Sequence, residues 1–319
     1  MITIQGKGFY IWQLKAPEMP NPEQLAEELV EKGFSHVLIK IADGAVSYEA
    51  DVIEDYVKAL RKTDLMLIGW QYVYLKNPTF EAARAVERMK TLGLDAFVID
   101  AEAEAKLVNA ATMQVYVNGL SAIEKPIGLS SYRWPSVHPE LAWTILMSVC
   151  SFVMPQVYWA NAANPGEQLE RCVREYKLRW PSIPIVPTGA AYQEYGWRPT
   201  AGEIQEFAAK CEELGLTGYN FWEMANAIRY GLYNIVCNLE TGGLPPEPTT
   251  PTTVTVRSSA LNMRAEPTTG GNVPIGTLRR GFQGPILEEM KVNNQRWVKT
   301  SGEFWICADY YGTTLAEVN

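Results

Sequence analysis

Histidine is nearly absent from this chain of 319 residues; only His36 and His138 occur. That excludes a multi-histidine zinc site and leaves little material for a Ser-His-Asp relay. Both have a structural reading, since His36 leads into the apolar run Val37-Leu-Ile39 and His138 precedes Pro139. Cysteine is scarce and odd in number. Cys150, Cys172, Cys211, Cys237 and Cys307 form no Cys-x-x-Cys and read as buried free thiols. Cations are outnumbered, with 28 Lys and Arg against 36 Asp and Glu and a net charge of −8. This balance argues against nucleic acid or an anionic membrane as a partner of the whole surface. No apolar run reaches transmembrane length, so no membrane insertion is expected. The start, Met1-Ile-Thr-Ile-Gln-Gly-Lys-Gly-Phe9, lacks a basic region followed by an apolar one, so no signal peptide is expected. No glycine-rich phosphate loop follows an early strand. No cofactor and no metal is implied, and any chemistry must run on carboxylates and tyrosines.

What is present is a regular alternation. Apolar strand candidates and helical periods repeat eight times in about 240 residues, the size and rhythm of a (β/α)8 barrel. The expected strands are 9–14, 36–41, 65–74, 96–102, 126–130, 152–158, 183–188 and 218–222. Helices are expected between them, among them single helices over 105–123, 139–149 and 225–239. The strands are apolar runs, as befits strands covered on both faces. Gly33, Gly93 and Gly215 each follow a helix and precede a strand, where a helix end favours glycine. Residues 241–253 are rich in Pro, Thr and Gly and read as a semi-rigid linker. Residues 254–319 show short alternating β segments and frequent turns, which predicts a small all-β barrel. The fold class is thus α/β, a (β/α)8 barrel over 1–240 followed by a small all-β barrel over 254–319.

The densest chemistry lies in Phe97-Val-Ile-Asp-Ala-Glu-Ala-Glu104. Asp100, Glu102 and Glu104 alternate, so on an extended strand all three share one face. Like charges on one face are tolerated where they share a proton or perform acid/base chemistry. In a barrel the C-terminal strand ends form the active site. Those ends offer Trp12 and Gln13, Lys40 and Asp43, Gln71 with Tyr72 and Tyr74, the carboxylate row, Ser130 with Tyr132 and Arg133, Gln156 with Tyr158 and Trp159, Thr188 with Tyr192, and Asn220 with Trp222 and Glu223. Aromatic faces stack on sugar rings, and amides and carboxylates bond hydroxyls. With only Lys40 and Arg133 cationic, a carbohydrate fits better than a phosphorylated substrate. Glycoside hydrolysis needs paired carboxylates, and Asp100 and Glu102 would lie ~6–7 Å apart along one strand. Glu223, across the barrel, is a third candidate, or else an N-terminal residue of the last helix. Glu102 and Glu104 could alternatively open helix four, where the helix dipole favours acid. That reading weighs most on Glu104, whose side chain need not point into the barrel mouth.

Two resemblances follow from these residues. Leu261-Asn-Met-Arg-Ala-Glu-Pro267, Ile275-Gly-Thr-Leu278, Gly281, Gln295-Arg-Trp-Val-Lys-Thr300 and Glu303-Phe-Trp-Ile306 resemble a bacterial SH3 (SH3b) domain, which implies binding of cell-wall peptides or glycans. His36-Val-Leu-Ile-Lys-Ile-Ala-Asp-Gly44 and Phe97-Val-Ile-Asp-Ala-Glu102 resemble the family 25 glycoside hydrolases, which are muramidases. That resemblance implies Glu102 as general acid and Asp100 as its partner. It departs in lacking an aspartate at the end of strand one. Asp100-Ala-Glu-Ala-Glu104, Met154-Pro-Gln-Val-Tyr158 and Gly218-Tyr-Asn-Phe-Trp222 are loosely similar to the family 18 glycoside hydrolases, with Glu102 in place of a middle aspartate.

The reading is a glycosidase of cell-wall peptidoglycan, held on the wall by its second domain, of the kind a phage or prophage encodes and releases from the cytoplasm. Tyr158, Gln156, Gln71, Tyr72, Trp222, Lys40 and Trp12 are the expected sugar-binding residues. The alternatives are a family 18-like chitinase or glucosaminidase, and a carbohydrate-binding or structural barrel without activity.

Overall fold

Strand faces in the first 239 residues alternate between two apolar environments, the interior of a closed sheet and its helical shell. A computed structural model of the chain describes residues 3–239, 253–268, 273–292, 295–300, 304–310 and 313–318. Parallel strands β1 (Gly6–Ile11), β2 (Phe34–Asp43), β4 (Met66–Tyr72), β5 (Ala96–Asp100), β6 (Ile127–Tyr132), β7 (Phe152–Val157), β8 (Thr188–Ala190) and β9 (Gly218–Trp222) pair in sequence. β9 pairs with β1 to complete an eight-stranded barrel. A short β3 (Val46–Ser47) folds back antiparallel on the end of β2. The seventh expected strand is shortened. Ile185 only bridges Val153 before β8 begins.

Tyr10, Leu38, Ile68, Trp70, Val98, Phe152 and Met154 fill the barrel interior, while Phe9, Ile39, Leu67, Phe97 and Phe221 pack outward against the helices. Period-two alternation of this kind places every second residue on the inner face. Gly8 is required there, because a Cβ would lie 2.2 Å from the His36 ring. His36 is buried at this level beside Asn220, and burial pushes its pKa down to about 4.

The helical shell comprises α1 (Pro22–Glu31), α2 (Ile53–Leu60), α3 (Pro78–Leu92), α4 (Ala110–Gly119), α5 (Trp143–Met147), α6 (Pro165–Arg179), α7 (Ala201–Glu213), α8 (Met224–Arg229) and α9 (Tyr233–Cys237). α1 shows the local logic. Asn21 caps it by accepting from the Gln24 N–H at 3.0 Å, and Pro22 opens it with a preset φ. Leu25 and Leu29 are fully buried, each contributing roughly 1.5–3 kcal/mol. Gly33, Gly93 and Gly215 hold φ of 69, 60 and 65°, the left-handed conformation that ends a helix cheaply only with glycine.

Three expected helices are cut. The segment 105–123 is a 3-10 turn, Glu104–Lys106, followed by α4, because the Asn109 side chain accepts from the Thr112 N–H and starts a new helix. The fifth is only α5. The last breaks into α8 and α9 around Gly231, whose φ is 70°. Among the described residues, no helix is long and apolar enough to cross a membrane.

The chain divides into two units, Met1–Pro245 and Pro246–Asn319. The expected linker over 241–253 lies outside the described residues except for Thr253. The second unit contains antiparallel sheets built on β10 (Thr253–Val256), β11 (Ala260–Met263), β12 (Gly276–Arg279), β13 (Gln283–Val292), β14 (Gln295–Thr300), β15 (Trp305–Tyr310), β16 (Thr313–Thr314) and β17 (Ala316–Val318). One sheet runs β16-β15-β14-β13-β10-β17 and a second pairs β11 with β12. Val254, Val256, Leu261, Val298, Ile306 and Ala308 form its core.

Candidate active site

Inner-face parity carries Lys40, Trp70, Tyr72, Asp100, Gln156 and Trp222 up the barrel wall to one cavity at the C-terminal strand ends. The cavity is about 700 Å³ and is also lined by Trp12, Tyr158, Glu102 and Glu104. This is the size range of small-ligand sites.

Asp100 is the last residue of β5 and is 2 % exposed. Glu102 follows in the irregular segment and is partly buried. One side chain ties them together. The Nε2 of Gln156, on β7, donates to Asp100 Oδ1 at 2.9 Å, to Glu102 Oε1 at 2.7 Å and to Ser130 Oγ at 3.2 Å. Burial raises the Asp100 pKa well above the usual carboxylate range. The neighbouring Glu102 charge adds to this, and Ser130, Lys40 and Gln156 oppose it. Burial also raises Glu102; Gln156 works against this and the Glu104 charge with it. Two adjacent carboxyl groups in a desolvated pocket cannot both ionise cheaply, so the pair retains a proton into the pH range where free carboxylates have lost theirs. This is the property required of a general acid.

The sequence left open whether Glu104 points into the mouth. The 3-10 turn brings it back to the cavity wall, where it accepts a hydrogen bond from Tyr72 OH. The cavity therefore takes in all three carboxylates of the row, with Glu102 linked toward β7 and Glu104 toward β4.

Lys40 is 6 % exposed. Its Nζ lies 2.9 Å from Asp43 Oδ1 and faces the rings of Trp12, Tyr48 and Trp70 at 5.9, 4.5 and 5.1 Å from their centroids. Trp12, 38 % exposed, stacks on Trp222 at 6.2 Å in the cavity wall. Tyr158 packs edge-on against Tyr192 on the opposite side. The cavity thus has an aromatic wall and a carboxylate floor, which suits a pyranose ring with polar substituents.

Two expected site residues lie elsewhere. Gln71 is fully buried outside the barrel, donating to Gly44 O at 2.7 Å and Glu81 O at 2.9 Å and accepting from Tyr116 OH at 2.7 Å. Adjacent residues on a strand face opposite ways, so Gln71 and Tyr72 could not both point inward. Glu223 is 2 % exposed and caps α8, accepting from the Asn226 N–H at 2.8 Å and the Ala225 N–H at 3.2 Å. Trp159, also offered by a strand end, is buried against Phe207. Tyr48 and Trp70 line the cavity unforeseen. Trp70 shares the parity of Tyr72, a signal present in the sequence.

No protein-family model matches the sequence, and no curated protein matches it. Solved structures do resemble the fold. A chitinase from Chromobacterium violaceum ATCC 12472 aligns over 74% of this chain and 99% of its own at 12% identity, with a TM-score of 0.55. The Bacillus cereus spore cortex-lytic enzyme SleL aligns over 74% of each chain at 10% identity, TM-score 0.52. An endo-1,4-beta-D-mannanase from Thermotoga petrophila RKU-1 aligns over 70% of this chain and 89% of its own at 11% identity, TM-score 0.55. At these identities the likeness is one of fold: this chain carries a barrel of the shape used by glycoside hydrolases.

Proposed function

We propose that the barrel hydrolyses glycosidic bonds in a glycan bearing acetamido groups, with Glu102 as general acid. The observation that carries this is the Asp100–Gln156–Glu102 arrangement, a proton-holding carboxyl pair at the floor of an aromatic-walled cavity. Glu102 lines the cavity and gives its proton to the leaving oxygen. Asp100 is too buried to attack an anomeric carbon; it serves as the partner with which Glu102 shares the pair's proton until Glu102 passes it to the leaving oxygen. The nucleophile then comes from the substrate, and an acetamido oxygen next to the anomeric carbon is placed to supply it. Glu104 and Tyr158 bond the sugar's polar groups, and Trp12 and Trp222 stack on its faces. The chitinases among the similar folds fit a glycan of this kind. Trp12 stands just past β1, where the family 25 pattern has an aspartate, so a family 18-like substrate is preferred; in that family's pattern the terminal glutamate is Glu104, and the acid role of Glu102 rests on its Gln156 bridge to Asp100 rather than on either family. The SH3b-like pattern of the second unit supports retention on a cell wall, which makes peptidoglycan the natural substrate to set beside chitin.

Release of new reducing ends from chitin oligosaccharides and purified peptidoglycan, compared with unacetylated glucans, tests the reading. Cleavage only of glycans without acetamido groups would remove the substrate-assisted step. Binding without cleavage of any of them would leave a carbohydrate-binding barrel.

A further inference from the structure

We propose that His138 and Lys106 form a proton-sensitive latch that positions the turn carrying Glu104 at the cavity. Glu104–Lys106 is a single 3-10 turn, too short to hold its own geometry. It is held from both sides. On one side Glu104 accepts from Tyr72 OH. On the other, Lys106 Nζ lies 2.7 Å from His138 Nδ1 and 4.0 Å from the centroid of the Tyr132 ring. The His138 ring stacks on Tyr132 at 3.7 Å, and its backbone carbonyl accepts from Trp143 Nε1 at 2.8 Å. The histidine is therefore fixed to β6 and α5, and the turn is fixed to the histidine.

An ammonium can only donate, so Nδ1 must accept and the ring must be neutral, with its proton on Nε2. Protonation of Nδ1 removes the acceptor and places two cations at the same contact. The charged and titratable groups around the ring are Lys106 from the turn, Tyr132 and Arg133 at the end of β6, and Glu140 two residues on. Burial holds the His138 pKa below its ordinary value, Lys106 and Arg133 lower it further, and Glu140 opposes them. The latched state thus binds a proton less readily than the released one. Latching is complete above the ordinary histidine pKa of about 6.5 and is lost as pH falls through the depressed value. Between the ordinary and the depressed value each pH unit favours release by up to about tenfold, and below the depressed value the balance changes no further. Only the catalytic consequence, displacement of Glu104, rests on the proposed function.

The test uses the full chain and needs no substrate. Amide hydrogen exchange is followed at Lys106 and Leu107, whose N–H groups bond Ala103 O at 3.2 Å and Glu104 O at 3.0 Å. Wild type is compared with His138→Asn at pH 7 and pH 5; asparagine retains an acceptor near the Nδ1 position and does not titrate. Protection lost between pH 7 and pH 5 in wild type but retained in the variant supports the latch. Equal behaviour overturns it. Imidazole NMR gives a second measure, since the other histidine is the buried His36. His138 should titrate below the ordinary value and move up in Lys106→Met; an ordinary value unchanged by Lys106→Met overturns the proposal. A chain that shows the latch but cleaves no glycan supports it and refutes only the hydrolase reading.

Discussion

Replacing Glu102 by glutamine isolates the proton from everything else the side chain does. Glutamine has the same shape, and its Oε1 can still accept from Gln156 at the present 2.7 Å position. What disappears is the transferable proton. General acid catalysis contributes typically about 10²–10⁴-fold, or about 2.7–5.4 kcal/mol of barrel-mouth transition-state stabilisation. A loss of at least about 10² in kcat/KM is therefore expected. Stability should move the other way. A carboxyl group raised by burial binds its proton more tightly folded than unfolded, so the fold is penalised as pH rises past about 4 and on through the raised value. Glu102 is itself raised, and its charge is the second cause of the Asp100 shift. A neutral residue removes both effects, so Tm at pH 7 should be unchanged or higher. Aryl glycosides with acidic leaving groups need no protonation, and with them the deficit should shrink to a few-fold. In wild type, kcat/KM should fall as pH rises through the raised Glu102 pKa, and Glu102→Gln should lose that limb. Activity within tenfold of wild type on a natural glycan would refute the assignment. So would a large deficit that persists with acidic leaving groups, or one accompanied by a fall in Tm.

Glu104→Gln should raise KM by about ten- to a hundredfold, the worth of a hydrogen bond to a charged group, with a smaller change in kcat; steady-state kinetics on an oligosaccharide checks this. Its loss as complete as that of Glu102→Gln would transfer the acid role to Glu104. Glu223→Ala should leave kcat/KM within about threefold while removing the cap of α8, which costs about 1–2 kcal/mol. Thermal denaturation should then show Tm lower by about 2–8 °C. Abolished activity at normal Tm would return Glu223 to the site.

Local sequence determined much of this protein. The eight strand–helix alternations, the glycines that end helices and the alternation Asp100-x-Glu102 follow from side-chain periods of 3.6 and 2, which a chain carries regardless of its neighbours. With one inner position known, the rest follow by parity: Trp12 from Tyr10, Lys40 from Leu38, Gln156 from Met154, Trp222 from Asn220. What the sequence could not supply was which parity faces inward, because both faces of a barrel strand are buried and both are apolar. Gln71 illustrates this, a polar residue on the outer face, paid for by Gly44, Glu81 and Tyr116 from distant segments. Chain direction beyond the strand ends was equally undetermined. Glu104 has the local signature of a helix-opening acid. Only Tyr72, Tyr132 and His138, arriving from other strands and loops, turn it into the cavity. The raised pKa of the carboxyl pair is tertiary for the same reason: desolvation is a property of the surrounding wall, and that wall exists only once the barrel has closed.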